Sequence, residues 1–152
     1  MDYSEVIESF LTKPYWIIDI LPEQVPSARQ KQYFETEKYF MQEPQRSVIH
    51  QQFCNLLVKL GCYHDLVVFN ADGLRIDGPL PGTLTQVFAS RQPFFVLIDS
   101  DEAMIAYNGD DHNLTLYTPA ATPLPLLARL ATAERLFLWQ PPKEKSQEGE
   151  PS

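Results

Sequence analysis

The sequence predicts an α+β fold, a single globular domain over residues 1–142 in which about four helices pack on a mixed sheet of about six strands. Three observations predict it. A chain of 152 residues, 44% of them hydrophobic and 12% aromatic, has ordinary domain size and enough apolar surface to offset the entropy of ordering one core. Apolar residues recur at helical spacing in some stretches and as short β-branched or aromatic runs in others. Their order is strand, two helices, strand, short helix, three strands, helix, strand, neither strictly alternating nor segregated by type.

Residues 15–20 (YWIIDI), bracketed by Pro14 and Pro22, are apolar on both faces, as a central strand would be. A loop with Pro22 and Pro26 follows. Residues 31–42 are predicted helical, with Tyr33, Phe34, Glu37, Phe40 and Met41 at spacings of three, four and seven. Pro44 suits the first turn of a second helix ending at Leu60, where Ile49, Phe53, Leu56, Leu57 and Leu60 form a stripe and Gly61 supplies the stop. Residues 66–69 and 74–76 read as a hairpin around Asn70-Ala71-Asp72-Gly73. Thr83 with Gln86 has the spacing of a capping box for a short helix, ended by Pro93. Residues 94–98 form a buried strand, and 104–107 and 114–117 continue it as a meander, with Asn108-Gly109 as a hairpin signal. Thr122 caps a last helix with Pro123 at its first position, residues 136–139 form a last strand, and residues 143–152 (KEKSQEGEPS) have the composition of a disordered acidic tail.

No apolar run approaches the roughly 18 residues of a membrane span, so no membrane partner is expected. The first residues carry Asp2, Glu5 and Glu8 where a secretory leader would be basic. Cys54 and Cys62, eight apart on one helix, would lie about 12 Å apart, beyond the reach of a disulfide. Free thiols suit a reducing compartment, and the expected location is cytoplasmic. The formal charge of −8 disfavours attraction to phosphate backbones, so nucleic acid is not an expected partner and a basic protein is.

The acidity is concentrated. The 37 residues between Arg91 and Arg129 contain no Lys or Arg but include Asp99, Asp101, Glu102, Asp110 and Asp111, a segment charge of −5. These carboxylates fall on two successive connections of the meander, hence at opposite strand ends, roughly 14 Å apart at ~3.4 Å per residue. One metal ion cannot bridge that distance.

Residues 94–102 (FFVLIDSDE) resemble the strand-then-Asp-x-Asp form of haloacid-dehalogenase-type phosphotransferases and many nucleotide-sugar glycosyltransferases, whose carboxylates hold Mg²⁺ or Mn²⁺. Ala103 stands where the former family has Thr or Val, and the chain is short for either core. Residues 107–111 (YNGDD) resemble the Gly-Asp-Asp hairpin of palm-type polymerases, but the acidic chain offers no basic template channel. His50, Cys54, Cys62 and His64 are zinc-ligand types without the paired spacing of a zinc site. No Gly-x-Ser-x-Gly or phosphate-cradling loop is present.

The expected function is a non-catalytic protein-interaction domain of the inhibitor, immunity or adaptor kind. Its candidate surface comprises Asp99, Asp101, Glu102, Asp110 and Asp111 with Tyr39 and Tyr117, which fall off the apolar stripes. The alternative is a small metal-dependent hydrolase or phosphotransferase using strand-end carboxylates, Asp99 and Asp101 with Asp19. No catalytic residue, metal ligand or cofactor is assigned.

Overall fold

The computed structural model describes residues 4–99, 102–109, 112–119 and 124–142. In chain order these form α1 (Ser4–Phe10), β1 (Tyr15–Asp19), a 3₁₀ turn (Ser27–Arg29), α2 (Gln30–Phe40), α3 (Gln45–Leu60), β2 (Leu66–Asn70), β3 (Arg75–Ile76), α4 (Leu80–Ser90), β4 (Phe94–Ile98), β5 (Ala103–Tyr107), β6 (Asn113–Tyr117), α5 (Leu124–Ala133) and β7 (Phe137–Trp139). The fold class is α+β, as expected, with seven strands rather than about six, in the order β3-β2-β4-β5-β6-β1-β7.

Every pairing in that sheet is antiparallel, which corrects the expected mixed sheet. The reason lies in where the helical connections land. β3 and β4, joined through α4, run the same way, as do β6 and β7, joined through α5. In each case an antiparallel strand is inserted between them, β2 in the first and β1 in the second, so no parallel neighbours form.

Alternation along the strands sorts side chains to two faces. The first carries Val68, Val96, Ile105, Leu116 and Trp16 in register, and Ile49, Phe53 and Leu57 of α3, Leu84 and Phe88 of α4, and Leu127 and Ala131 of α5 cover it as the main core. The second carries Phe69, Phe95, Ala106, Thr115, Ile17 and Trp139 in register. There Ile7 and Phe10 of α1 pack on Phe69, Leu97 and Met104. A seven-residue helix is about 10 Å long, whereas seven strands at ~4.8 Å spacing span roughly 29 Å. Among the described residues, α1 therefore leaves much of the second face uncovered by helix.

Local chemistry sets the boundaries. Glu43 Oε1 accepts the Ser47 backbone N–H at 3.2 Å and its hydroxyl at 2.6 Å, satisfying the first turn of α3. Gly61 caps α3 in ordinary right-handed helical conformation and leaves room for α4: a Cβ there would lie 2.6 Å from Leu80 Cδ2. Asn70 Oδ1 accepts the N–H groups of Asp72 at 2.9 Å and Leu74 at 3.1 Å, closing the β2–β3 turn, in which Gly73 has φ 81°. α4 begins three residues earlier than its expected cap. The Thr83 N–H already donates to Pro79 O at 3.0 Å, so the Thr83/Gln86 box is interior helix. The expected Thr122 cap and the tail at 143–152 lie outside the described residues. No helix among the described residues is long and apolar enough to cross a membrane.

Candidate functional site: a carboxylate and aromatic cleft beside an open sheet face

Among the described residues, the stretch of the second face beyond α1 belongs to β6, β1 and β7, with Gln30 and Tyr33 of α2 at its Asp19 end. Pairing sets Tyr15 opposite Tyr117, Ile17 opposite Thr115 and Trp139, and Asp19 opposite Asn113 and Phe137, all pointing to this side. Tyr15 and Phe137 are 43% and 44% exposed, and the Tyr15 and Tyr117 rings lie 5.9 Å apart. Here the sheet presents an aromatic surface to solvent. At the Asp19 end the loop after β1 walls a cavity of about 250 Å³. Its floor is Ile17, Asp19, Asn113 and Trp139; its walls are Leu21, Glu23, Gln24, Val25, Gln30 and Tyr33.

Behind that cleft lies a charged knot. His112, which directly precedes β6, is 1% exposed, and Asp19, the last residue of β1, is 3% exposed. His112 Nδ1 is 3.0 Å from Asp19 Oδ1, while Nε2 is 3.1 Å from both Glu37 Oε2 and the Tyr33 hydroxyl on α2. Burial works against charge on His112, but the Asp19 hydrogen bond and the charges of Asp19 and Glu37 outweigh it and raise the imidazole above its ordinary range. In the protonated form Nδ1–H donates to Asp19 and Nε2–H is shared by Glu37 and Tyr33. The Ile20 N–H adds a further donor to Asp19 Oδ1 at 2.7 Å. This knot fastens α2, which has no fully buried residue of its own, to the sheet.

Charge and composition define what the cleft can do. Two carboxylates, Asp19 and Glu37, contact His112, while Asp19 and Glu23 line the cavity, whose described lining residues include no Lys or Arg. Trp139 Nε1 is shielded from solvent without a hydrogen-bond partner. Both ring nitrogens of His112 are engaged, Nδ1 by Asp19 and Nε2 by Glu37 and Tyr33, and the described lining residues include no Ser, Thr, Cys or Lys. The arrangement suits capture of a cation between carboxylates and aromatic rings.

The sequence-derived residues separate. Asp99 closes a loop clamp: Oδ2 lies 2.6 Å from His64 Nδ1 and Oδ1 accepts the Asp65 N–H at 2.9 Å. The His64 hydrogen bond and the Asp65 N–H hold its carboxyl below the usual carboxylate range. Glu102 is half-buried one residue before β5. Tyr39 is 55% exposed on α2, on the far side of its chain neighbour Phe40, whose ring it meets edge-on at 5.0 Å. Tyr117 is half-buried against the α1 cluster. Asp101, Asp110 and Asp111 lie outside the described residues.

The pairing pattern places the β4–β5 and β5–β6 connections at opposite ends of the sheet. Asp19 belongs to the second end and Asp99 to the first, three strands away, so the carboxylates of the hydrolase alternative do not converge. His50 and Cys54 also part from Cys62 and His64. His50 Nε2 pairs with the Tyr107 hydroxyl at 3.0 Å, Cys54 Sγ approaches Thr85 Oγ1 at 3.9 Å, and burial raises the Cys54 thiol pKa. Both cysteines are free thiols.

His112 was not singled out by sequence, and the signals were in its partners. Asp19 is an acid inside an apolar strand, and Glu37 is an acid within the apolar stripe of a helix. An ionisable group at a core-facing position implies a buried partner of opposite charge. Comparison of the chain with family models, curated proteins and solved structures yields no match.

Proposed function

We propose that this chain is a non-catalytic protein-interaction domain that docks a basic partner on the open part of the second sheet face and seats one of its Lys or Arg side chains in the adjoining cleft. The observation that carries the reading is the cleft lining: Asp19 and Glu23 with the rings of Tyr33 and Trp139, and no Lys or Arg among the described lining residues. A guanidinium between a carboxylate and an aromatic face gains charge-assisted hydrogen bonds and cation–π attraction together. The aromatic surface beside it, Tyr15, Tyr117 and Phe137, supplies the apolar area on which interfaces concentrate their affinity. The net charge of −8 adds long-range attraction for the same partner. Relative to the sequence-based expectation, the contact surface moves from the Asp99 segment to the Asp19 end.

The test is affinity capture with the immobilised full chain, run in parallel on wild type and Glu23→Lys at about 0.05 M and about 0.5 M salt. Glu23 is exposed, so reversing its charge leaves the fold intact. The reading expects basic proteins retained at low salt, reduced tenfold or more by high salt and by Glu23→Lys. Equal retention by wild type and Glu23→Lys would contradict it.

A further inference from the structure

The other end of the sheet carries a second constellation that the docking reading does not use. In register, Leu66 of β2 pairs with Ile98 of β4, which pairs with Ala103 of β5. The segments flanking those positions, before β2, after β4 and before β5, therefore emerge side by side. They hold His64, Asp99 and Glu102, and one ligand atom from each lies within 4.8 Å of the other two. Among the described residues this is the one such grouping of His, Cys, Asp or Glu.

We propose that His64, Asp99 and Glu102 bind a single divalent transition-metal cation, Zn²⁺ foremost. The donor set fits: one imidazole and two carboxylates are zinc-ligand types, and three protein ligands leave a fourth position for water or a ligand. Tetrahedral coordination with bonds of ~2.0–2.1 Å spaces donors about 3.3 Å apart. His64 Nδ1 and Asp99 Oδ2, now 2.6 Å apart, would open by less than 1 Å, and the widest allowed separation of 4.8 Å would close by about 1.5 Å.

The supporting shell is in place. Asp99 Oδ1 is held by the Asp65 N–H at 2.9 Å while the Asp99 N–H donates to Asp65 O at 2.8 Å, a two-bond clamp that directs Oδ2 toward His64. An independent observation concerns Glu102, whose Oε1 is cut off from solvent and accepts no hydrogen bond. A buried carboxylate oxygen without a donor is costly, and a cation is the partner that relieves it. The His64–Asp99 pair alone would serve equally as a loop clip; Glu102 is not needed for that clip, and it separates the two roles. On binding, the metal replaces the proton on Nδ1; a neutral ring then carries its one proton on Nε2, and a doubly protonated ring releases one proton to solvent.

The experiment is calorimetric titration of the full chain with Zn²⁺ near pH 7.5 in a Cys62→Ser background, which removes an exposed thiol able to take zinc. The proposal expects one ion per chain, a rise in melting temperature with Zn²⁺, at least tenfold weaker binding in Glu102→Gln, and loss of binding in His64→Gln. Mg²⁺, which favours an all-oxygen shell, should bind far more weakly. Absence of a one-to-one isotherm overturns the proposal, as does a Glu102→Gln variant that binds as the parent does. If His64→Gln fails to fold, Glu102→Gln alone decides, because it leaves the Asp99 clamp untouched.

Discussion

His112 is enclosed to 1% exposure, and its pKa is nevertheless raised, because Asp19 and Glu37 approach it from two elements. The direction of that shift sets a pH dependence. A histidine whose pKa is higher folded than unfolded contributes stability that is fully present below the unfolded value, ~6.5, and is lost as pH rises through the folded value. Denaturant unfolding followed across pH 5–9 should show this decline, and an imidazole titration by NMR should place His112 above the ordinary histidine value of ~6.5. Asp19→Asn removes the partner of a buried cation and should cost about 3 kcal/mol, read as a lower urea midpoint, and should flatten the decline. Asp99 works in the opposite sense. Its lowered pKa contributes stability that is present above the unfolded carboxylate value and lost as pH falls through the folded one. Asp99→Asn should therefore diminish the pH dependence only on the acid side. The knot was partly legible in the sequence, since Asp19 and Glu37 violate otherwise apolar patterns. That both aim at His112 was not, because it depends on bringing residues 93 and 75 positions apart into contact.

At the scale of elements, the strands at 94–98, 104–107 and 114–117, the helix ending at Leu60 and the Asn70-to-Gly73 turn were all legible, because each is specified by local periodicity or turn chemistry. The β5–β6 connection follows the same logic: Gly109 adopts φ 86°, and a Cβ there would lie 3.0 Å from Arg91 O. Gly109→Ala should lower stability by about 1–2 kcal/mol by denaturant unfolding, from left-handed strain and a contact with rigid backbone. α1 was not legible as a helix, since seven residues hold few turns of pattern. Its value is tertiary, through Ile7 and Phe10 against Phe69, Leu97 and Met104. Phe10→Ala should cost about 3 kcal/mol and expose the second face further. The all-antiparallel pairing was hidden because local patterns do not reveal which strand is inserted between two others.

Across the whole molecule, the sheet has two unlike faces and two unlike ends. Three helices bury the first face, while one short helix covers part of the second and leaves the aromatic surface of β6, β1 and β7. One end carries the Asp19–His112 knot and the cleft; the other carries the His64–Asp99 clamp. Overall acidity was evident from composition, but its useful geometry was not. Charge spacing along the chain points to Asp99 through Asp111, whereas the cleft draws its carboxylates from Asp19 and Glu23, on a different strand and its following loop. Only two Trp residues are present, and Trp139 lines the cleft while Trp16 belongs to the opposite face. The most direct measurement is an NMR titration with a short arginine-rich peptide at low salt, following the Trp139 indole N–H with the backbone amides. The docking account expects that indole to shift together with Ile17, Glu23 and Tyr33, reversibly with added salt. A Trp139 indole that stays unmoved while amides around Asp99 and Glu102 shift would contradict it.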